Sequence, residues 1–549
     1  LMGFLIRGRI VAEQRNPLNR LLTWCYQPVI RAVTKLPWLV IAISMLLMGS
    51  AIWPLSQLGS EFMPPLDEGD WMYMPTMRPG LPIGEASQLL QQTDRLIKTI
   101  PEVESVFGKI GRAETATDPA PLTMIETLIR FKPESEWREG MTIESIRNEI
   151  QQTVQLPGVT NVWVMPIKTR IDMLATGIKT PVGIKIGGAD LSVVQALGRE
   201  LESLLGDFPG TASVYAERVV GGRYVVVDID RSKSARLGLN IDDVQAVVSS
   251  AIGGMNVSET IEGLERFPIN LRYPSRERDS LENIRDLPVI TPQGARIPLS
   301  DIASIRVEDG PPMIKSENAR PTGWVYVDLA DIDVGTYVAS AQTYLRDKLE
   351  LPAGYTIAWS GQYEYMERAI ERLKIIVPFT ILIITFLLYL AFNRVGEVLI
   401  VLATLPMSIA GSSWLLWYLD FDLSVAVAVG LIALAGVAVE IGVIMLVYLN
   451  QYKDAYLDQA RTSRGITQEG LRTAISDGAL QRLRPIVMTM AAITAGLFPI
   501  MFGQGTGSEV MQRIAAPMIG GMVSTLLLTL LVLPATYLLW QRMLLRKEM

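Results

Sequence analysis

The chain lacks histidine altogether and has a single cysteine, Cys25, among its 549 residues. Histidine is the commonest protein ligand of Zn(II) and the usual proton carrier near neutral pH, so both of those uses are excluded. One cysteine cannot form a disulfide within the chain. Charged residues make up only 19% and the net charge is −6, which excludes an overall basic nucleic-acid-binding protein. No nucleotide-binding loop or nucleophile–base motif is visible, so no enzyme is predicted.

Long apolar runs are what the sequence does contain. Hydrophobic residues make up 49% of the chain and concentrate near its start and in its last third. A bilayer core of about 30 Å needs roughly 20 apolar residues per helix. Six segments meet this requirement and predict membrane-spanning helices: residues 37–56, 373–392, 397–419, 423–449, 485–503 and 512–540.

Basic residues flank these spans unevenly. Lysine and arginine are frequent in residues 1–36, in the link 450–484 and in the tail, whereas the links 420–422 and 503–509 have none. Because cytoplasmic loops of membrane proteins are enriched in basic residues, we place the basic segments in the cytoplasm. The large region between the first two spans then lies outside.

The region 59–370 reads as soluble-type α+β structure. Alternating strands and periodic helices predict the order β-α-β-β-α-β in residues 59–178. The pattern begins again in 179–216, stops, and resumes in 319–370, so residues 217–318 are predicted to be an insertion. The expected fold is an α+β membrane protein: a six-helix half-bundle with two split-βαβ, ferredoxin-like units outside it.

A methionine and a carboxylate share one face of a predicted strand. In the strand 122–132, Met124 and Glu126 alternate with apolar residues and lie about 7 Å apart at a rise of ~3.3 Å per residue. A polarisable thioether suits Cu(I) or Ag(I). The alternative is that such a methionine only fills a gap in the core.

One carboxylate falls inside a predicted membrane span. Glu440 lies in the span 423–449, on a helix face that also carries Ala433 and Gly436. An ionisable residue at that depth is costly and indicates a proton-relay site, or else a structural acid bonded within the bundle.

Several stretches together resemble one family. They are Glu68-Gly69-Asp70, Tyr73-Met74-Pro75, AETATD at 113–118, Arg170-Ile171-Asp172-Met173, Glu317-Asn318-Ala319-Arg320-Pro321, ALAGVAVE at 433–440 and SEVMQRIAAPMIG at 508–520. The chain resembles heavy-metal efflux permeases of the resistance-nodulation-division class, and most of all those that export Cu(I) and Ag(I). Such permeases have twelve spans that arise from a duplicated half. Because this chain has six spans and its sequence opens within the family's pattern, we expect it to be the C-terminal half of such a permease.

The resemblance implies roles for particular residues. Three methionines would bind the transported ion: Met74, Met124 and Met173. Glu126 would lie beside them, and no cofactor is expected. Polar side chains would line the ion channel: Glu68, Asp118, Arg170 and Lys179. Glu440 would belong to the proton relay of an antiporter rather than to an enzyme.

The resemblance also implies an architecture and partners. Its units would be a cytoplasmic segment (1–36), a transmembrane helix (37–58), a first porter subdomain (59–178), a second porter subdomain in two parts (179–216 and 319–370), an inserted docking subdomain (217–318) and five further transmembrane helices with the cytoplasmic loop 450–484 (371–549). Expected partners are the metal ion, the N-terminal half of the permease, two further copies in a homotrimer, a periplasmic adaptor, an outer-membrane channel and the lipid bilayer, but no nucleic acid. The chain would lie in the bacterial inner membrane with its large domain in the periplasm.

Three other functions fit the same sequence less well. The first is export of divalent Zn, Co or Cd, for which histidines and carboxylates would be expected as ligands. The second is drug efflux by the same fold, which would favour an aromatic cleft, although aromatic residues are only 7% of the chain. The third is a truncated scaffold that docks an adaptor protein without transporting anything.

Overall fold

The computed structural model combines a bundle of long helices with a large unit of strands and shorter helices. It describes residues 17–545, apart from residues 65, 78–79, 112–123, 331, 464 and 504. The predicted site residue Asp118, the stretch 113–118 and the start of the strand predicted at 122–132 therefore lie outside the described residues.

Among the described residues, six spans are helical, long and apolar enough to cross a membrane, which confirms the six predicted spans. They are built from α2 (Pro37–Ser50), α3 (Ile52–Gln57), α12 (Gln362–Phe392), α13 (Val395–Leu402), α14 (Thr404–Tyr418), α15 (Val425–Ser463), α16 (Gln468–Met501) and α17 (Ser508–Leu545). The first span consists of α2 and α3, and the third of α13 and α14, each pair being nearly continuous. Helix α17 packs against α14, α15 and α16 and is the most buried of the six.

A shorter helix, α1 (Pro17–Lys35), packs against α16 and α17. Its Tyr26 is buried and donates a hydrogen bond of 2.6 Å to the backbone carbonyl of Leu530 in α17. That carbonyl would normally accept from the N–H four residues later, but position 534 is proline, which has no N–H. The tyrosine thus supplies the donor that Pro534 removes, and a helix in lipid needs such a replacement.

The first strand-and-helix unit follows the order β-α-β-β-α-β. Its elements are β1 (Asp70–Tyr73), α4 (Ile83–Lys98), β2 (Val103–Ile110), β3 (Ile125–Phe131), α5 (Ile143–Thr153) and β4 (Trp163–Val164). The strands form an antiparallel sheet in the order β2-β3-β1-β4. Alternate residues of β1 and β3 point towards α4 and α5, where Trp71, Ile129 and Phe131 form a core with Ile97 and Ile146. A further helix, α6 (Pro166–Thr176), follows β4 and is absent from the sequence prediction.

The second unit is built from two separate parts of the chain. Its elements are β5 (Val182–Gly187), α7 (Leu191–Gly206), β6 (Thr211–Ala216), β13 (Lys315–Glu317), β14 (Arg320–Leu329), α11 (Val334–Lys348) and β15 (Thr356–Gly361). Strand β14 lies between β5 and β6, so the late part of the chain completes a sheet that the early part begins. The buried faces of α7 and α11 cover one side of this sheet.

Between these two parts the chain forms a further unit with its own core. Its elements are β7 (Gly222–Ile229), α8 (Arg231–Arg236), α9 (Ile241–Val248), β8 (Met255–Glu262), β9 (Glu265–Leu271), α10 (Leu281–Arg285), β10 (Pro288–Ile290), β11 (Arg296–Pro298) and β12 (Ala303–Gly310). Leu299, Ile302 and Val244 are fully buried in its core. The hairpin β8–β9 is almost entirely exposed.

Polar contacts join the second unit to the helix bundle. The backbone N–H groups of Gly59 and Ser60 donate to Asp422 and Asp333, at 2.9 and 2.8 Å. In addition, β15 continues directly into α12 at Gly361, whose φ of 80° and close approach to the carbonyl of Pro181 exclude a side chain there. The second unit is therefore joined to a membrane-spanning helix without an intervening loop.

The bond between Tyr26 and Leu530 leads to a stability prediction. We expect Tyr26→Phe to lower the free energy of unfolding by about 1–3 kcal/mol, because it leaves a buried carbonyl without a donor. Pro534→Ala restores the missing backbone N–H, so the same Tyr26→Phe change should cost much less in that background. Chemical denaturation of the purified chain and the two single and one double variants would measure both costs. Equal costs in both backgrounds would contradict this account.

Candidate metal site

A cavity of about 230 Å³ lies where the first unit meets the second, and several methionines line it. Its walls come from the end of β1, the start of β3, helix α6 and the strands β6, β13 and β14. Five methionines line it: Met74, Met77, Met124, Met173 and Met313. The structure thus brings together the three predicted ion-binding methionines, which come from separate parts of the chain.

Met74 is held rigidly where β1 ends. Its side chain is only 1% exposed, and its backbone N–H donates to the carbonyl of Val162 at 2.9 Å. Two residues later, Thr76 exchanges backbone hydrogen bonds with Thr160. These bonds extend the edge of the sheet beyond β1 and fix where the Met74 thioether lies.

Met124 immediately precedes β3, whose side chains alternate as the sequence predicts. Ile125, Thr127 and Ile129 are fully buried, while Leu128 is exposed on the opposite face. Glu126 shares the Met124 face, but it does not line the cavity. Its carboxylate instead accepts an ion pair of 2.6 Å from Lys109 on the neighbouring strand β2.

Met173 lies on α6, and both ends of this helix are fixed. The carboxylate of Glu68 accepts hydrogen bonds of 2.7 Å from the N–H groups of Ile167 and Lys168 in the first turn, where helices leave donors unpaired. The helix ends at Gly177, whose φ is 80° and whose Cα faces the Trp324 ring too closely for a side chain. Glu68, predicted to line the channel, thus orients the helix that carries Met173.

Lys179 is a buried cation on the cavity wall. Its ammonium donates to the Met74 carbonyl at 3.2 Å and to the Thr76 hydroxyl at 2.9 Å. Burial lowers the pKa of Lys179 to about 8, although the carboxylate of Glu217 opposes this effect. Glu217 itself is paired with Lys315, which also lies over the Trp324 ring. The cavity is therefore lined by charged side chains as well as by methionines.

The remaining predicted residues fall in different places. Arg170, on α6, lines the same cavity together with Lys179. Glu440 lies on α15 in the membrane bundle, where its side chain is exposed on the outer face beside Ala433 and Gly436. No described side chain forms a hydrogen bond or ion pair with it. No helix of the described chain covers this face, since a side chain added at Gly436 would meet nothing within 4 Å.

Two further methionines, Met77 and Met313, line the cavity beside the three predicted ligands. Met77 is 6% exposed and lies three residues after Met74, where the sequence favours a residue of the core or of the cleft wall. Met313 lies between β12 and β13, at the end of the insertion. The pairing of β13 with β14 brings it to the cavity, and β13 is absent from the sequence prediction.

The donor set determines which ions this cavity suits. Thioethers are uncharged, soft ligands that favour monovalent Cu(I) and Ag(I) over hard or borderline divalent ions. Within the described residues, no group of three or more cysteine, aspartate or glutamate side chains is placed to hold a metal. The geometry favours a soft ion held by sulfur.

Comparisons with known proteins also indicate a relation to metal efflux proteins. A family model described as the AcrB/AcrD/AcrF family matches residues 3–541. SilA of Salmonella typhimurium, a cation efflux system protein by name, is 50% identical over 99% of this chain, and the cation efflux system protein CusA of Escherichia coli K12 is 49% identical over 98%. The cobalt-zinc-cadmium resistance protein CzcA of Cupriavidus metallidurans is 33% identical over 98%. A crystal structure of a heavy metal efflux pump superposes with a TM-score of 0.81 at 27% identity over 96% of the chain.

The chain spans about half the length of these relatives. It covers 52% of SilA, 52% of CusA and 52% of the heavy metal efflux pump chain. These comparisons do not bear out the narrower prediction that it is the C-terminal half.

The position of Lys179 leads to a test of the cavity's electrostatics. We expect Lys179→Leu to raise the affinity for Ag(I) several-fold at pH 7, because a buried positive charge beside the methionines repels a cation and leucine removes it without adding a ligand atom. Lys185→Leu is the matched control, since Lys185 pairs with Glu317 and does not line the cavity. Competition titration of the purified chain with Ag(I) would measure both affinities. An unchanged or lower affinity in Lys179→Leu would show that the ion binds elsewhere.

Proposed function

This chain belongs to the AcrB/AcrD/AcrF family, and we propose that it forms part of a proton-driven pump that exports Cu(I) or Ag(I) across the bacterial inner membrane. The observation that carries the proposal is the convergence of Met74, Met124 and Met173 on one cavity outside the helix bundle. The transported ion is the substrate, and no cofactor and no covalent chemistry are required.

The side chains available as metal ligands favour export of monovalent ions over export of divalent ions. CzcA is named for cobalt, zinc and cadmium resistance, and it shares 33% identity with this chain, whereas SilA and CusA share 50% and 49%. A chain without histidine offers Zn(II) few of its usual ligands, while a methionine-lined cavity suits Cu(I). We therefore favour the monovalent ions.

The units outside the bundle take the roles expected of such a pump. We assign the two sheet-and-helix units, residues 59–178 and the combined parts 179–216 and 319–370, as porter subdomains that form the ion cleft. The insertion 217–318 is the docking subdomain, and its exposed hairpin β8–β9 suits contact with a partner. The proposed assembly is a homotrimer with the other half of the permease, a periplasmic adaptor and an outer-membrane channel.

A second, larger cavity of about 880 Å³ lies where the first and second units meet the membrane bundle. Carboxylates from both units line it, among them Asp172, Asp328, Asp333 and Asp422. A cavity rich in negative charge raises the local concentration of cations. Lys179 lies on the walls of both cavities, so we propose that ions collect in the larger one and pass this cation to reach the sulfurs.

Protonation of the bundle and movement of the cleft need a mechanical link. We propose that Glu440 carries the proton, because a carboxylate about 24 Å along α15 from Ser424 lies deep in the membrane, where its ionised form is costly. The continuous junction of β15 and α12 at Gly361 would convert a tilt of the helices into a movement of the second porter subdomain. The bare helix face around Glu440 would then pack against the other half of the permease.

Replacing the sulfurs tests the substrate assignment. We expect Met74→Leu, Met124→Leu and Met173→Leu each to weaken Ag(I) binding at least tenfold, or about 1.4 kcal/mol, because leucine keeps the volume but removes the ligand atom. Competition titration of the purified chain would measure the affinities.

Two controls make this test specific. Met141→Leu removes a sulfur from the same unit but outside both cavities, and Glu126→Gln removes a carboxylate that pairs with Lys109. We expect both to bind Ag(I) within twofold of the parent chain. Equal losses in Met141→Leu and Met124→Leu would refute the site.

Glu440→Gln tests the coupling separately from binding. We expect it to abolish copper resistance when introduced into the full-length protein in a strain without its own copper efflux, because glutamine cannot carry a proton. Ag(I) affinity of the purified variant should be unchanged, since the cavity lies outside the membrane. Retained resistance would exclude Glu440 from the relay.

A further inference from the structure

Two arginines at the far end of the helix bundle have no anionic partner within the part of the chain that the structure describes. Arg472 lies near the start of α16 and Arg542 near the end of α17. The Nε of Arg472 and the Nε and Nη2 of Arg542 are shielded from solvent and meet no acceptor among the residues that the structure describes. Arg472 is also the charged group that acts on Arg542, so the two cations repel each other.

This arrangement is unfavourable unless an anion completes it. A buried donor without an acceptor costs about 1–3 kcal/mol, and more when the group is charged. Like charges in the same place add to this cost. A guanidinium presents its N–H groups as a planar fork that matches the oxygens of a phosphate, and two such forks can hold one phosphate between them.

The position of the pair matches the level of lipid headgroups. Arg513, on the same helix as Arg542, pairs with Glu61 at 3.1 Å, next to the units outside the membrane. Arg542 follows 29 positions later, or about 43 Å along a helix, which exceeds the ~30 Å hydrocarbon core. The two arginines therefore lie beyond the opposite side of that core, among the headgroups.

Helix α1 supports the same placement. It packs against both α16 and α17, with Tyr26 and Ile30 buried against them. Its outer face leaves Trp24 74% exposed and Leu21 56% exposed, and the helix has no acidic residue. Exposed tryptophan on a basic helix is typical of the membrane interface.

We propose that Arg472 and Arg542 form a binding site for a phosphate group, carried by an anionic phospholipid of the leaflet opposite the large domain. The proposal rests on the membrane position of the bundle and is independent of metal transport. Bound phosphate would satisfy the free N–H groups and cancel the repulsion between the two helix ends, so the lipid would hold α16 and α17 together there.

The test titrates the purified chain in neutral detergent with dioctanoyl phosphatidylglycerol, with dioctanoyl phosphatidylcholine and with inorganic phosphate. Native mass spectrometry measures the lipid bound and thermal unfolding measures the stabilisation. We expect phosphatidylglycerol to bind and to raise the unfolding midpoint, and Arg472→Gln or Arg542→Gln to weaken that binding at least tenfold. Arg31→Gln, which removes an exposed arginine of α1, is the control and should change it less than twofold.

The sign of the stability change separates this site from a structural role. Without anionic lipid, Arg472→Gln and Arg542→Gln should be at least as stable as the parent chain, because each removes a repulsion. Lower midpoints in neutral detergent, or unchanged phosphatidylglycerol binding, would overturn the proposal.

The two other probes identify the source of the phosphate. An arginine-dependent shift with inorganic phosphate alone would support the phosphate site and overturn the lipid as its source. No shift with any probe would overturn the site, as expected if Glu13 or Glu548, which lie outside the described residues, neutralised the pair.

Discussion

The convergence of thioethers at the seam between two separately folded sheets is the constraint on which the proposed function depends. Met74 is fixed by the edge of one sheet and Met173 by a helix whose ends are held by Glu68 and Gly177. A soft ion needs several weak sulfur ligands at once, so their relative positions matter more than any single bond. Because the seam lies between two units, a change in their packing would open or close the site without breaking either fold.

Much of this architecture could be predicted because its signals are periodic and local. Six apolar runs specify the spans by length alone, and all six are helices in the structure. The two-residue period of β3 correctly separates the buried Ile125 and Ile129 from the exposed Leu128. The sequence could therefore predict that Met124 and Glu126 lie on the same face of the strand. The grouping of Met74, Met124 and Met173 came from the family resemblance, and the structure places all three at one cavity.

What escaped prediction depends on contacts between distant residues. The strand period places Glu126 beside Met124, but it carries no information on Lys109, which lies on the next strand and pairs with that carboxylate. Met313 lines the cavity together with Met173, which lies 140 positions earlier in the chain. The bond from Tyr26 to Leu530 joins residues 504 positions apart. In each case the deciding term is a hydrogen bond, an ion pair or a packing contact that no sequence period encodes.

X-ray absorption spectroscopy of Ag(I) bound to the purified chain tests the central claim most directly, since it reports the atoms around the ion. The account predicts a first shell of two or three sulfur atoms and no shell of nitrogen or oxygen alone. Because the only other sulfur ligand type is Cys25, which lies on α1 against the helix bundle, the same spectrum is expected from a Cys25→Ser chain. A first shell of oxygen or nitrogen, or a sulfur shell lost with Cys25, would contradict it.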